Sequence, residues 1–128
     1  MDAFQHVNNV VYFKYFESAR IAYFERAGLT DYMKEHGIGP ILASTSCRFR
    51  RPLTFPDEVL IGASVHDIEA DRFKMRYCVY SKTLQSVAAE GEGRIVCYDY
   101  GKNQKAALPE VIRRAIESLE CSTNPDAP

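Results

Sequence analysis

The sequence lacks several patterns that would place a protein in a large functional class. Its formal net charge is only −1, so it has no broad basic surface for nucleic acid or an anionic membrane. It has no apolar run of membrane-spanning length and no secretory leader, which favours a cytoplasmic protein. It also lacks the G-x-x-x-x-G-K-[ST] and G-x-G-x-x-G patterns. Nucleotide hydrolysis and a dinucleotide cofactor are therefore unsupported.

The cysteines do not form a metal-binding pattern. Cys47, Cys78, Cys97 and Cys121 include no C-x-x-C pair, and the three histidines do not cluster with them. We therefore predict neither a zinc site nor any other cofactor. Three of the four thiols lie in apolar, strand-like runs, where a free cysteine acts as a small hydrophobic residue. Reduced thiols agree with a cytosolic protein.

The first half of the chain begins with a helical pattern. A chain of 128 residues suits one domain with its own core. We predict a helix from about Asn9 to Ala27, capped by Asn8 or Asn9 and ended by Gly28. Its apolar residues leave no broad polar face, so we expect it to be buried on most sides. A second, short helix is predicted at about residues 30–36.

The remaining sequence has the two-residue period of antiparallel strands. We predict strands over residues 41–50, 58–68, 73–80 and 87–98, joined by short hairpin links at residues 52–56, 69–71 and 83–86. Residues 109–120 form an amphipathic closing helix, and the polar residues 121–128 form a disordered tail. The predicted fold is α+β, with a curved antiparallel sheet wrapped around a long hydrophobic helix and a C-terminal helix beside them.

The strongest chemical signal precedes the first helix. Residues 2–9 read Asp-Ala-Phe-Gln-His-Val-Asn-Asn, and Tyr12, Phe16, Glu17 and Arg20 follow. This pattern resembles the 4-hydroxybenzoyl-CoA thioesterase-like branch of the hotdog superfamily. The stretch at residues 5–9 also looks like the acyl-carrier-protein thioesterases of plastids. The resemblance covers residues 1–120 and implies one hotdog thioesterase domain. Relatives usually carry a strand before the aspartate, and we expect the sheet of this chain to lack that strand, because Asp2 directly follows Met1.

The resemblance also implies roles for individual residues. Asp2 would be the nucleophile or the general base that attacks an acyl thioester, and the backbone N–H of Asn9 or a neighbour would hold the carbonyl oxygen. His6 is included among the catalytic candidates, although ordering the loop is the alternative role. Asn8 is a substrate-binding candidate and also a turn residue. Glu17 is a possible second carboxylate, with a structural ion pair as the alternative.

Four further residues are candidates for contact with substrate. Tyr12 would form part of the pocket wall or of the core. Arg48, Arg50 and Arg51 would meet the phosphates of coenzyme A, unless they only form a solvated strand end.

The resemblance also implies a partner and a competing function. The substrate would be an acyl-CoA or an acyl-carrier-protein ester, and the protein would form a homodimer or a dimer of dimers. The alternative is a non-catalytic acyl-thioester-binding module. A hotdog dehydratase is disfavoured because His6 is followed by Val-Asn-Asn and not by a proline-rich loop.

Overall fold

Three helices and one antiparallel sheet account for the regular structure of the chain in a computed structural model, which describes residues 9–53 and 57–123. The elements follow the predicted order. They are α1 (Asn9–Ala27), α2 (Leu29–His36), β1 (Ile38–Phe49), β2 (Val59–His66), β3 (Arg72–Ser81), β4 (Ser86–Asp99), β5 (Gln104–Lys105) and α3 (Glu110–Thr123).

Two glycines end the first two helices. Gly28 has φ 81° and Gly37 has φ 72°, and both lie in the left-handed region that glycine adopts without steric cost. The N–H of Gly37 donates to the carbonyl oxygen of Met33 at 2.8 Å, which closes the last turn of α2. The predicted bounds of α1 are confirmed, and α2 begins one residue earlier than predicted.

The four long strands are confirmed, but one predicted hairpin is wrong. The strand order is β1-β4-β3-β2, with the short β5 paired to β4. Strands β2 and β3, and strands β3 and β4, form the two predicted hairpins. Strands β1 and β2 are not neighbours, because they lie at opposite edges of the sheet. The length of a link does not by itself determine which strands pair.

The sheet has an inner face toward α1 and an outer face away from it. On β3 the inner side chains are fully buried, and the outer ones are only partly covered. The buried inner side chains are Phe73, Met75, Tyr77 and Val79, as the alternation predicted. Burying a side chain of this size contributes about 1.5–3 kcal/mol. This row therefore supplies much of the force that holds α1 on the sheet.

Helix α1 is covered on one side only, which corrects the expectation that most of its sides are buried. Its covered side consists of Tyr12, Phe16, Tyr23, Phe24 and Ala27. The opposite side contains Val10 and Ile21, which are 61% and 49% exposed, together with exposed charged residues such as Glu17. The sheet of a single subunit wraps one side of the helix and leaves this mixed face open.

Helix α3 packs beside α1. Ile112 and Ile116 are buried, whereas Val111 is 61% exposed. Near the C-terminal end of α3, the hydroxyl of Tyr23 donates to the Glu120 carboxylate and so joins the two helices. The helix continues to Thr123, three residues beyond its predicted end at residue 120.

The link between α1 and α3 predicts a measurable loss of stability. We expect Tyr23→Phe to lower the free energy of unfolding by about 1 kcal/mol, because it removes one hydrogen bond and leaves its acceptor beside a covered ring. Urea unfolding followed by circular dichroism measures this change. The matched control is Tyr98→Phe, whose bond to Asn103 is solvent-exposed. Equal effects of the two substitutions would contradict the proposed link.

Candidate active site

The start of α1 is the part of the structure where the sequence predicts the chemistry. The helix begins at Asn9, and its first turn contains no acidic residue. The first backbone N–H groups of a helix have no partner within the helix, and they carry the positive end of its dipole. Asn9 therefore stands where the sequence places the oxyanion donor. Asp2, His6 and Asn8 lie outside the described residues.

Tyr12 lies one turn into the helix and packs against the end of β1. Its ring is 2% exposed and meets the ring of Phe49 edge-on, with centroids 5.0 Å apart. Burial raises the pKa of its hydroxyl, and a backbone hydrogen bond at Leu53 partly offsets this rise. The ring thus joins the first turn of α1 to the end of β1, which fixes where the helix starts relative to the sheet.

A stacked pair of rings lies one turn farther on. Phe16 and Tyr77 are nearly parallel, at an interplanar angle of 14° and a centroid distance of 4.9 Å. Arg20 donates from Nη1 to the Tyr77 hydroxyl at 3.1 Å. The sequence pattern gave these residues no separate role. Gly91 is the residue in the sequence that could have indicated this packing. A glycine within a strand often marks a place where another element approaches closely.

Glu17 does not lie near the start of the helix. It lies eight residues after Asn9, about 12 Å along the helix axis at 1.5 Å per residue. Its side chain is exposed on the open face of α1. Within one subunit, Glu17 is therefore separated from the predicted oxyanion donor.

The three predicted arginines have different surroundings. Arg50 pairs with the Glu90 carboxylate at 2.8 Å, and Arg51 donates from Nη1 to the hydroxyl of Ser86 at 3.2 Å. In the described part of the chain, Arg48 makes neither an ion pair nor a side-chain hydrogen bond. Arg48 is therefore the best placed of the three to meet an incoming phosphate.

Arg48 also lines a groove of about 870 Å³ that lies mainly on the outer face of the sheet. Of the predicted site residues that the structure describes, only Arg48 belongs to its lining. The other charged lining residues are Arg76, Glu90, Glu92 and Glu120. Two guanidinium groups thus face three carboxylates, so the groove as a whole does not present a strongly positive surface. It is separate from the start of α1.

The three thiols of the sheet do not offer an activated nucleophile. Burial raises the pKa of Cys47, Cys78 and Cys97, and that of Cys97 reaches about 11. These thiols are therefore protonated at neutral pH, and a thiol attacks poorly in that form. Within residues 9–53 and 57–123, no group of three or more His, Cys, Asp or Glu is arranged to hold a metal ion. None of the helices in the same ranges is long and apolar enough to span a membrane.

The fold and the start of α1 define the class of protein, and comparison with known proteins defines the family. A curved antiparallel sheet around one long helix is the hotdog fold. Residues 1–116 match the thioesterase-like superfamily, and the chain belongs to this family. The predicted family and fold are confirmed. The expectation of a thioester hydrolase is confirmed at the level of the family.

Individual relatives agree with this assignment. The chain is 24% identical to the long-chain acyl-CoA thioesterase FadM of Escherichia coli K12 over 119 residues, which cover 93% of this chain and 90% of FadM. It is 32% identical to a thioesterase of Thermus thermophilus solved with coenzyme A and zinc. That structure has a TM-score of 0.79, and the match covers 94% of this chain and 85% of the Thermus chain. The 1,4-dihydroxy-2-naphthoyl-CoA thioesterase of Synechocystis shares the fold at 20% identity and a TM-score of 0.80, with 94% and 89% covered.

The buried tyrosines predict a loss of stability at alkaline pH. Burial raises the pKa of Tyr12 and Tyr77 above the ordinary value of 10.0, although Arg20 partly offsets the rise at Tyr77. The native state therefore holds these protons more tightly than the unfolded state does. We expect the contribution of these tyrosines to the free energy of unfolding to be constant below about pH 10 and to fall as the pH rises further. The buried cysteines add a decline that begins near their ordinary pKa of 9.0.

Urea unfolding at a series of alkaline pH values measures this decline. Tyr77→Phe removes one of these groups and should make the decline shallower. The control is Tyr80→Phe, because Tyr80 lies on the outer face of β3. A decline that is as steep in Tyr77→Phe as in the unsubstituted protein would contradict the prediction.

Proposed function

We propose that the protein hydrolyses acyl-CoA thioesters to a free acid and coenzyme A, with Asp2 as the catalytic carboxylate and the start of α1 as the oxyanion site. The observation that carries the proposal is a helix that begins at Asn9 without an acidic residue in its first turn. The positive end of its dipole is therefore not offset by a carboxylate on the first turn, and it favours an anion that forms nearby.

The chemistry of a thioester suits this arrangement. When an oxygen nucleophile adds to the carbonyl carbon, the carbonyl oxygen becomes an anion. Fixed N–H donors stabilise that anion, and the loss of one such donor typically costs about 10²–10³-fold in kcat. The C–S bond then breaks, and the thiolate leaves without strong acid assistance. The protein therefore has to supply a nucleophile and an oxyanion site, and it needs no metal for either.

Asp2 has two possible roles in this reaction. As a nucleophile, its carboxylate takes the acyl group and forms an anhydride that water then hydrolyses. As a general base, it removes a proton from the water that attacks directly. Both routes consume one water and release one acid and one thiol. The sequence motif supports Asp2 in either role, and the raised pKa values of three cysteines leave no competing thiolate among them.

Paired substitutions of the two carboxylates test the catalytic assignment. We expect Asp2→Asn to lower kcat by at least about 100-fold while the fold is preserved, because it removes the charge and keeps the shape. Glu17→Gln, at an exposed position on the open face of α1, should change kcat by less than about threefold. Release of free thiol from a panel of acyl-CoA and acyl-carrier-protein esters provides the measurement.

The same panel separates the proposal from its alternatives. Near-normal kcat in Asp2→Asn, together with a large loss in Glu17→Gln, would transfer the role to Glu17. If the unsubstituted protein binds acyl thioesters tightly and releases no thiol from any of them, it is a binding module and not an enzyme.

The basic residues at the end of β1 give a second test, directed at coenzyme A. We expect Arg48→Gln to raise KM for acyl-CoA by about tenfold, because a hydrogen bond to a charged group is worth roughly 1.5 kcal/mol. Added salt should reduce the difference. KM for a small thioester without coenzyme A should not change.

Two matched variants test whether the rise in KM comes from the loss of a contact with the phosphate. Arg94→Gln removes an exposed arginine from β4 that does not line the groove. Arg50→Gln removes the partner of Glu90. A rise in KM that is the same for both substrate types in Arg48→Gln would contradict phosphate binding.

The open edge of β1 supports the proposed homodimer. Residues 42–46 are all exposed, and β1 contains no charged residue before Arg48. An uncharged edge of this length is a template for pairing with another strand. We expect a dimer by light scattering at micromolar concentration, and a monomer when Leu42→Lys places a charge on this edge. Leu60→Lys on the β2 edge is the control. A monomeric unsubstituted protein would contradict the proposal.

A further inference from the structure

We propose that the inner face of β1 holds the acyl group, so that the protein accepts straight acyl chains of up to about sixteen carbons. The assignment rests on the proposed function, because it takes the start of α1 as the place where the thioester reacts. It adds the class of acyl group that this site accepts and the strand that selects it.

The space between α1 and the sheet is closed at the first turn of the helix. Tyr12 is 2% exposed there, and its ring meets the ring of Phe49 edge-on. The Tyr12 hydroxyl is hydrogen-bonded to the backbone of Leu53, which is itself buried. One turn farther on, Phe16 is fully buried. An acyl group that reacts at the helix start therefore does not pass into the core, and it has to lie on the surface beside the helix.

Four side chains of β1 form an open strip, the β1 strip, on the α1 side of the sheet. The register with β4 fixes their face, because Thr45 lies opposite Gly93 and Phe49 lies opposite the buried Ala89. An added Cβ at Gly93 would lie 2.7 Å from the hydroxyl oxygen of Tyr77, which belongs to the inner face. The β1 strip consists of Leu42, Thr45, Cys47 and Phe49.

The β1 strip is exposed, although the neighbouring strand is covered on the same face. Phe49 is 45% exposed and Leu42 38%. Between them, Thr45 is exposed and Cys47 is half-buried. On β4, by contrast, the inner side chain of Ile95 is 0% exposed. Helix α1 therefore covers β4 and leaves this face of β1 open, so a ligand can reach the strip directly from solvent.

The composition of the β1 strip suits a hydrocarbon chain. None of its four side chains is charged, and a free cysteine acts as a small hydrophobic residue. The open face of α1 also contains exposed apolar residues, but Lys14, Glu17 and Glu25 lie among them. A hydrocarbon chain on that face would remove charges from water, which is unfavourable. On the β1 strip it removes mainly apolar surface from water, which is favourable.

The two parts of an acyl-CoA ester separate at the end of β1. Phe49 contacts Tyr12 in the first turn of α1, so the strip begins where the thioester reacts. Arg48, the candidate contact of the phosphates, precedes Phe49 and lies on the outer face. Pairing of two β1 edges leaves the strip accessible, because the hydrogen bonds of a sheet lie in its plane and the side chains stand perpendicular to it.

The length of the β1 strip converts into an acyl length. The stretch of β4 that pairs with it, from Ala89 to Ile95, covers six steps of about 3.3 Å, or about 20 Å. Each C–C bond of about 1.5 Å advances an extended chain by about 1.25 Å, so sixteen carbons span about 19 Å. Thr45 lies four steps from Phe49, about 13 Å, which a chain reaches at about its eleventh carbon. An octanoyl chain thus ends before Thr45, and a hexadecanoyl chain passes it.

The experiment compares kcat/KM for butanoyl-, octanoyl- and hexadecanoyl-CoA, each below its micelle-forming concentration. For the unsubstituted protein we expect kcat/KM for hexadecanoyl-CoA to equal or exceed that for octanoyl-CoA. Thr45→Trp places a large ring across the strip. It should lower the ratio of hexadecanoyl to octanoyl activity by at least about tenfold, because the loss of even one methylene from an apolar site costs roughly this factor. Activity toward octanoyl-CoA should change by less than about threefold, because its chain ends before Thr45.

Ser44→Trp is the matched control. Ser44 is the adjacent residue of the same exposed edge, and it lies opposite Arg94 on the outer face. A fall of the ratio in Thr45→Trp that is absent in Ser44→Trp supports the inference. An equal fall in both overturns it, because the cause would then be a disturbed β1 edge. Light scattering and thermal unfolding confirm that each variant keeps its assembly and its fold.

A second pair of variants replaces the first if a tryptophan variant does not fold. Thr45→Glu puts a carboxylate on the β1 strip without adding a ring, and Ser44→Glu puts the same charge on the outer face. We expect only Thr45→Glu to lower the ratio, because a hydrocarbon chain beside the carboxylate would remove that charge from water. Equal ratios in the two glutamate variants overturn the inference.

The remaining outcomes separate this inference from the proposed function. Hydrolysis with the same ratio in Thr45→Trp and in the unsubstituted protein overturns the inference and leaves thioester hydrolysis intact. A kcat/KM of the unsubstituted protein that is at least about tenfold lower for hexadecanoyl-CoA than for octanoyl-CoA does the same. If no ester is hydrolysed, the proposed function fails, and Kd values from calorimetry test the strip by themselves. The strip stands if Thr45→Trp weakens the binding of hexadecanoyl-CoA and not that of coenzyme A, and it fails otherwise.

Discussion

The contact of the Phe16 ring with β4 at Gly91 is the one on which the rest of the structure depends. Gly91 has no side chain, and the ring of Phe16 occupies the space in which a Cβ would stand. This contact sets the distance between the helix and the sheet. With that distance set, Tyr77 can stack on Phe16, and Arg20 can reach the hydroxyl of Tyr77. The start of α1 is then held by the edge-on contact of Tyr12 with Phe49. The proposed chemistry at the helix start is therefore positioned by residues one and two turns inside the helix.

The local elements could be predicted because their signals are local. A glycine after an apolar helix specifies where α1 ends, and alternation specifies which side chains of β3 face inward. The order of the strands could not be predicted in the same way. The alternation of apolar and polar residues assigns each residue to a face of the sheet, but it does not show which strand lies beside it. The chain between β1 and β2 is nine residues long, and the two strands that it joins lie at opposite edges of the sheet.

The surroundings of the charged residues depend on register, which the sequence pattern does not reveal. Arg50 meets Glu90 although the β1–β4 register places Arg48 opposite Glu90. A slip of one residue in an antiparallel pair moves every side chain to the opposite face. The sequence could therefore identify Arg48, Arg50 and Arg51 as a basic group, but it could not show that two of them have partners within the chain. Likewise, Glu17 belongs to the motif, and only the helix geometry shows how far it lies from Asn9.

The apolar residues of α1 divide the helix into a covered side and an open side. The covered side is packed against the sheet and serves stability. Near the helix start the surface around it is apolar and exposed: Val10 is 61% exposed, Phe13 38% and the neighbouring Phe49 of β1 45%. Exposed apolar area favours contact with an apolar ligand or with another chain, because such contact removes it from water. The helix start thus combines a positive dipole with an uncovered apolar surface. An acyl thioester needs both, since its carbonyl develops negative charge while its acyl group avoids water.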